Sequence, residues 1–301
     1  MSTSEEIMYH IFSNPRSKSN RGNRTLNKVE RILQSRGVDF TSYVCSTPEV
    51  AKVQLDEIIA SGGGDIIVVG GDGTLFNIIN SISDFSKIRI GIVAAGTGND
   101  FARTLKVSKN LEDSIDDILS PDTHTIDIMQ VGDYKCVNVA GTGLDIEVLK
   151  RYNKMKFFDG KIKYYLALLI TLFKFRFYKL RVTLGEDEPF EVDGMFVSVG
   201  NGKYIGGGMN AVPNARPDDG LLDVTIVRSL PGIKIVTNLL HFLKGNHHKS
   251  KYIDSYTTRG PVKVEILEDT QTIQMDGEMK DSKFECSIIP NAITLLNTKQ
   301  Y

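Results

Sequence analysis

Val68-Val69-Gly70-Gly71-Asp72-Gly73-Thr74 decides the reading of this 301-residue chain, because a β-branched strand end runs straight into a glycine-rich turn that carries an acid. Gly70, Gly71 and Gly73 lack a Cβ, so they can adopt φ > 0 and let backbone N–H groups approach an anion. Thr74 adds a hydroxyl and Asp72 a carboxylate suited to a cation. Leu75, Phe76, Ile78, Ile79 and Ile82 follow at helical spacing, which sets a helix N-terminus beside the anion. The turn is neither a Walker A loop, which needs Gly-Lys-Ser/Thr, nor the G-x-G-x-x-G of dinucleotide folds. A glycine cluster between strand and helix is often only a tight turn, so the acid is what raises the phosphate reading.

Outward from this turn, strand and helix signals alternate from Ile7 to Ile126, which predicts a parallel sheet with crossover helices. Strands are expected at Ile7 to Phe12, Phe40 to Val44, Asp65 to Val69 and Ile88 to Ala94. Between them, Leu26, Val29, Ile32 and Leu33 give one helix a buried stripe, and Pro48 to Ala60 gives another. After Pro121 the texture changes to short alternating strands, from Thr125 to Val131 through Phe284 to Pro290, which predicts an antiparallel second domain. Tyr134 to Ala140 reads as one strand within it, and two helices are expected near Gly160 to Phe177 and Ile233 to Leu243.

A formal net charge of −1 gives no global attraction to nucleic acid or anionic lipid, so a nucleic-acid partner is not expected. Cys45, Cys136 and Cys286 lack metal-ligand spacing and are odd in number, which fits a reducing compartment. The polar, acidic start at Met1 to Glu6 is unlike a secretory signal, and the apolar run Tyr164 to Phe173 is half the length of a membrane-spanning helix. A cytoplasmic protein is therefore expected. Between Lys150 and Arg181 ten Lys and Arg face one acid, Asp159, among aromatic residues. That pattern fits either a helix covering a sheet or a membrane-surface helix.

The turn resembles the G-G-D-G-T signature shared by diacylglycerol kinase-like lipid kinases, sphingosine and ceramide kinases and NAD kinases. Ala95 to Arg103 (Ala-Gly-Thr-Gly-Asn-Asp-Phe-Ala-Arg) is similar to the second signature of the lipid-kinase branch, and NAD kinases differ there. Asn201 to Gly208, Pro213 to Val224 and Asp276-Gly277-Glu278 are similar to the bacterial lipid kinases of that branch. The resemblance implies a three-layer α/β ATP-binding domain at residues 1–126, joined by 291–301, and an antiparallel β-sandwich-like lipid domain at 127–290. It implies a kinase, dependent on ATP and Mg²⁺, that phosphorylates a lipid hydroxyl, with diacylglycerol giving phosphatidate favoured. Undecaprenol, a sphingoid base or phosphatidylglycerol are alternative acceptors, and a non-catalytic nucleotide or lipid sensor is the rival class. A protein peripheral to the membrane, meeting its lipid at the surface, follows, and by family analogy a homodimer.

By the same resemblance, Asn14, Gly71, Asp72, Gly73, Thr74, Leu75, Phe76 and Asn77 hold the triphosphate, with Gly96, Thr97, Asn99 and Asp100 close by. Asp72, Asp100 and Asp127 would form a linked carboxylate network around catalytic Mg²⁺, and Arg216, Asp219 and Leu221 would hold a structural Mg²⁺ through oxygen donors. Asp276 and Glu278 sit two apart, so in extended chain both would face the same way and one could serve as general base. Asp-Gly between apolar residues is also a hairpin signal. Glu278 is the preferred base, with Asp276 close behind. Asn77 stands where relatives often carry Glu, the Asn14-Pro15 loop is more basic than usual, and an adenosine contact falls at Cys45, Ser46 or Thr47.

Overall fold

The computed structural model describes residues 8–14, 21–156, 160–172, 175, 177–231, 234, 237–238, 240–241, 245–267 and 272–296. The chain divides into two compact units, Met1–Ile126 with Asn291–Tyr301, and Asp127–Pro290.

In the first unit, β1 (Tyr9–Ser13), β2 (Phe40–Val44), β3 (Gly64–Gly70) and β4 (Ile88–Ala94) pair in parallel in the order β2-β1-β3-β4. Parallel pairing needs crossover connections, and the helices α1 (Arg21–Ser35), α2 (Pro48–Ala60) and α3 (Asp72–Ser81) supply them. After α4 (Asp100–Thr104), α5 (Leu111–Leu119) packs beside α1, and Leu26, Val29 and Leu33 of α1 meet Ile67, Val69, Ile115 and Ile118 in one core. Each such side chain contributes roughly 1.5–3 kcal/mol on burial. Residues of β3 alternate, so Val68 turns to the other face beside Leu75 of α3. The sheet is thus covered on both faces, as a parallel sheet of Val and Ile must be.

The second unit is antiparallel. Its strands are β5 (His124–Val131), β6 (Tyr134–Cys136), β7 (Val139–Gly143), β8 (Tyr178–Leu184), β9 (Phe190–Gly200), β10 (Tyr204–Ile205), β11 (Met209–Asn210), β12 (Leu222–Arg228), β13 (Ile253–Thr258), β14 (Val262–Ile266), β15 (Thr272–Met275), β16 (Glu278–Asp281) and β17 (Phe284–Leu295). The long β9 pairs with β8 along its first half and β7 along its second, with β12 on its other edge. Strand β17 passes into the first unit at Asn291, and there its last residues, Thr294 and Leu295, run parallel to β4. Two helices, α6 (Leu144–Lys154) and α7 (Gly160–Leu172), pack against each other and onto the apolar core of this unit.

Several expectations change. The strand expected at Tyr134 to Ala140 is two strands, because the N–H groups of Val137 and Asn138 turn to a side chain instead of a ladder. Helices α5 and α6 and strands β10, β11, β13 and β16 have no counterpart among the expected elements. Most of Ile233 to Leu243 lies outside the described residues, as do residues 15–20, 157–159, 173–174 and 297–301.

Candidate active site

Strand β3 ends at Gly70, Gly71 precedes α3 with no side-chain cap, and α3 begins at Asp72. Its first N–H groups therefore keep the anion-binding character of a helix N-terminus. None of Gly70, Gly71 or Gly73 has positive φ, and Gly71 sits at −105°. Gly70 and Gly71 are glycines for room. A Cβ on Gly70 would lie 2.4 Å from the Thr74 side chain, and one on Gly96 would lie 2.4 Å from the Gly71 backbone. The two glycine loops pack backbone to backbone, and Ala95 donates its N–H to the Gly70 carbonyl at 2.8 Å.

Asp72 reaches across this contact. Its Oδ1 accepts the N–H of Asp100 at 2.7 Å and of Phe101 at 3.4 Å, so the start of α4 is capped from α3 and not by Asp100. A Cβ on Gly98 would meet both the Asp72 and Asp100 carboxylates, which converge there. Burial pushes the Asp72 carboxyl above its usual range, with the N–H donors opposing. The left-handed backbone falls instead on Asn99, whose side chain accepts from Gly96 N–H and donates to Gly96 carbonyl, closing its own loop.

A shallow hollow is lined by Ser13, Asn14, Cys45, Thr47, Thr74 and Asn77, with Ala51 and Ile78. It gathers Asn14, Thr74 and Asn77 beside two of the three positions expected to meet adenosine; Ser46 is not in its wall. Thr47 also caps α2 through Val50 N–H. Leu75 and Phe76 point into the core, because helix periodicity turns them inward, so any contact they make with a nucleotide is through backbone. Thr97 is exposed.

In the second unit Asp276 and Glu278 do not face the same way. Asp276 and Gly277 both have positive φ, 52° and 89°, and form a two-residue hairpin turn between Met275 and Glu278. Asp276 is buried and its carboxylate accepts the N–H groups of Val137 (3.0 Å), Asn138 (3.0 Å) and Val139 (3.1 Å) and the thiol of Cys136 (3.0 Å). Burial pushes it up to about 6 against those bonds. The same burial, with the nearby carboxylate, drives the Cys136 thiol upward and leaves it unreactive. Glu278 is exposed at the start of β16, yet the protein around it still raises its carboxyl, with Lys280 opposing.

Asn201 extends this frame by donating to the carbonyls of Asp127 (3.0 Å) and Val137 (3.1 Å). The Asp127 carboxylate accepts Gly220 N–H at 2.7 Å, and Asp219 accepts Leu221 N–H at 3.0 Å. Desolvation raises the Asp219 carboxyl, and the charges of Asp127 and Asp218 raise it further. Mutually repelling carboxylates among oxygen donors fit a hard cation. No cluster of three His, Cys, Asp or Glu side chains arranged to hold a metal occurs among the described residues, so such an ion would rely on Asp219 and the carbonyls of Arg216 and Leu221.

An apolar cavity with about 580 Å³ of empty volume lies under α7 in the same unit. One acid lines it, Asp145, which burial pushes up to about 7. A carboxyl near 3.9 in the unfolded chain but near 7 in the fold binds its proton more tightly when folded. Stability therefore falls as pH rises from about 4 to 7. Asp145→Asn is expected to flatten that slope, by at most about 1.4 kcal/mol per pH unit, in urea unfolding followed across this range.

Residues 8–131 match the family model of the diacylglycerol kinase catalytic domain, and residues 138–297 match that of the YegS C-terminal NAD kinase beta sandwich-like domain. The chain is also 31% identical over 274 residues to "Diacylglycerol kinase" of Mycobacterium tuberculosis (strain CDC 1551 / Oshkosh), covering 89% of this chain and 87% of that one. The chain belongs to the diacylglycerol kinase-like family of lipid kinases. It is 28% identical to "Probable lipid kinase YegS-like" of Shewanella frigidimarina (strain NCIMB 400), over 79% of this chain and 78% of that one. A solved diacylglycerol kinase from Bacillus anthracis str. Sterne matches with a TM-score of 0.76 at 25% identity, covering 99% of each chain. As a lipid kinase of this family the protein is an enzyme, a phosphotransferase acting on an alcohol.

Sequence reasoning missed Asn138 and Asp145 and gave Cys136 and Asn201 no such role. A signal existed for α6, with acids Asp145 and Glu147 in its first turn and Arg151 and Lys154 in its last.

Proposed function

We propose that this lipid kinase transfers the γ-phosphate of ATP to the hydroxyl of diacylglycerol, giving phosphatidate, in a Mg²⁺-dependent reaction. The observation that carries it is the packing of Gly71 against Gly96, which unites the phosphate turn, the open N-terminus of α3 and the paired Asp72 and Asp100. Asn14, Thr74 and Asn77 line the hollow beside that turn and hold the nucleotide. Mg²⁺, when bound, would neutralise phosphate charge; Asp72 and Asp100 are its candidate ligands in the first unit, and Asp219 with the carbonyls of Arg216 and Leu221 would hold a structural ion in the second.

Phosphoryl transfer asks mainly for positioning and charge neutralisation. An oxygen–phosphorus bond forms from the lipid hydroxyl as the bond from Pγ to the ADP oxygen breaks, and the hydroxyl proton passes to Glu278. Its open carboxylate, raised above the usual range, suits that task, whereas Asp276 already holds four donors. Diacylglycerol is favoured because the Mycobacterium tuberculosis relative carries that substrate in its name.

The enzyme works at the membrane surface. On α7, Ile162 (69% exposed), Tyr165 (41%) and Leu169 (47%) form one outward apolar stripe at i, i+3, i+7. No helix among the described residues is long and apolar enough to cross a membrane. Phe157, Phe158 and Phe173 of the basic, aromatic stretch lie outside the described residues.

The test offers γ-labelled ATP with diacylglycerol, a sphingoid base, undecaprenol and phosphatidylglycerol in mixed micelles, with Mg²⁺ or with chelator. Label is expected in phosphatidate, lost with chelator, and reduced at least ~100-fold in Asp72→Asn. Preferential labelling of another lipid would overturn the substrate assignment.

A further inference from the structure

The turn that carries Glu278 is short and lightly held. Gly277 has φ +89°, a Cβ there would meet nothing within 4 Å, and the Glu278 side chain forms no hydrogen bond with another described residue. The aim of that carboxylate is therefore set by the backbone of Asp276-Gly277-Glu278. Asp276 is anchored by its four donors, and its own N–H donates to the Val139 carbonyl at 3.1 Å. That leaves the middle of the turn.

Gln274 holds that middle. It lies on β15, 4% exposed, between the buried apolar residues Ile273 and Met275. A buried carboxamide costs free energy unless its polar atoms are paired. Here Oε1 accepts the Gly277 N–H at 3.0 Å, while Nε2 donates to the Val139 carbonyl at 3.4 Å and stands beside the Asp145 carboxylate, whose charge it eases. A donor at Gly277 and acceptors at Val139 and Asp145 fix which end of the amide is oxygen and which is nitrogen. Gln274 pairs in register with Gly141 on β7, and a Cβ on that glycine would lie 3.2 Å from Nε2, so the missing side chain leaves the amide its room. The Val139 carbonyl thus ties down two successive N–H groups of the turn, Asp276 directly and Gly277 through Gln274.

We propose that Gln274 is a positioning residue for phosphoryl transfer: it fixes the Gly277 peptide and thereby aims Glu278 at the lipid hydroxyl. The inference rests on the lipid kinase reading with Glu278 as base and adds what holds that base in place. A base acts only within hydrogen-bond reach of its proton, and misplacement by about 1 Å costs about 100-fold in rate.

Two measurements on the whole protein test it. In amide hydrogen exchange, Gln274→Met, which keeps the volume and loses both bonds, is expected to speed exchange at the Gly277 N–H at least ~10-fold, and Gln274→Glu, which keeps an acceptor of the same reach, to restore the protection. In transfer of labelled γ-phosphate from ATP to diacylglycerol, Gln274→Met is expected to lower kcat about 10–100-fold, with KM for both substrates within about 2-fold of wild type. Added to Glu278→Gln, the same substitution is expected to cost less than about 2-fold more, because a residue that acts through Glu278 then has nothing left to position. Should Gln274→Met fail to fold, as read by thermal unfolding, Gln274→Asn, too short to reach Gly277, makes the same comparison. Unchanged exchange at Gly277, unchanged kcat, or an equal loss in the Glu278→Gln background would overturn the proposal. Wild type that transfers no phosphate counts against the kinase reading, and the exchange measurement still decides whether Gln274 holds the turn.

Discussion

Asp276→Ala is expected to lower stability by about 3–5 kcal/mol, read as the urea midpoint at constant slope. The size follows from what the carboxylate holds. Three successive N–H groups, Val137 to Val139, and the Cys136 thiol donate to it in the interior. Removing the acceptor leaves all of them unsatisfied, and each buried orphan costs about 1–3 kcal/mol before relaxation. Asp276→Asn restores an acceptor but turns an NH₂ toward donors, so about 1–3 kcal/mol is expected. Asp276 thus positions its neighbours, and loss of activity in its variants should track loss of fold. Were Asp276→Ala to keep full stability and lose only transfer, the role of base would pass to Asp276.

Gly96→Ala is expected to weaken ATP binding at least ~100-fold and to destabilise the first unit by about 1–3 kcal/mol, as overpacking does. Its methyl would lie 2.4 Å from Gly71 Cα and 2.7 Å from Asn99 Oδ1, and backbone cannot step aside as a flexible side chain can. The loops must part, which breaks the Ala95-to-Gly70 bond and draws the Asp100 N–H off Asp72. Calorimetric ATP titration with thermal unfolding checks both numbers. Gly277→Ala is the useful contrast: its Cβ meets nothing within 4 Å, so its cost is conformational, from φ +89° alone.

How much of this was legible beforehand depends on how local the signal was. The first unit's strands were readable because buried parallel strands are continuous Val and Ile runs, and Thr47-Pro48 announced α2. The glycines of the opening turn do not use the positive φ open to them; Asn99 does. Close approach between Gly71 and Gly96 is a contact across 25 residues, and no local pattern reports it. The Asp-Gly hairpin signal at Asp276-Gly277 was strong and correct, but the fate of each carboxylate was not local. Asp276 is claimed by N–H groups about 140 residues earlier, which also divides the strand expected at Tyr134 to Ala140. Asp145 was invisible because its partners in the cavity wall come from scattered elements.

The most direct measurement is single-turnover transfer of labelled γ-phosphate from ATP to diacylglycerol, with wild type and Glu278→Gln side by side and ATP affinity measured for both. Expected are Mg²⁺-dependent transfer by wild type, a fall of about 10²–10⁴-fold in Glu278→Gln, and unchanged ATP affinity and stability in that variant. Equal rates in the two proteins, or wild type that binds ATP and labels no lipid, would contradict this expectation.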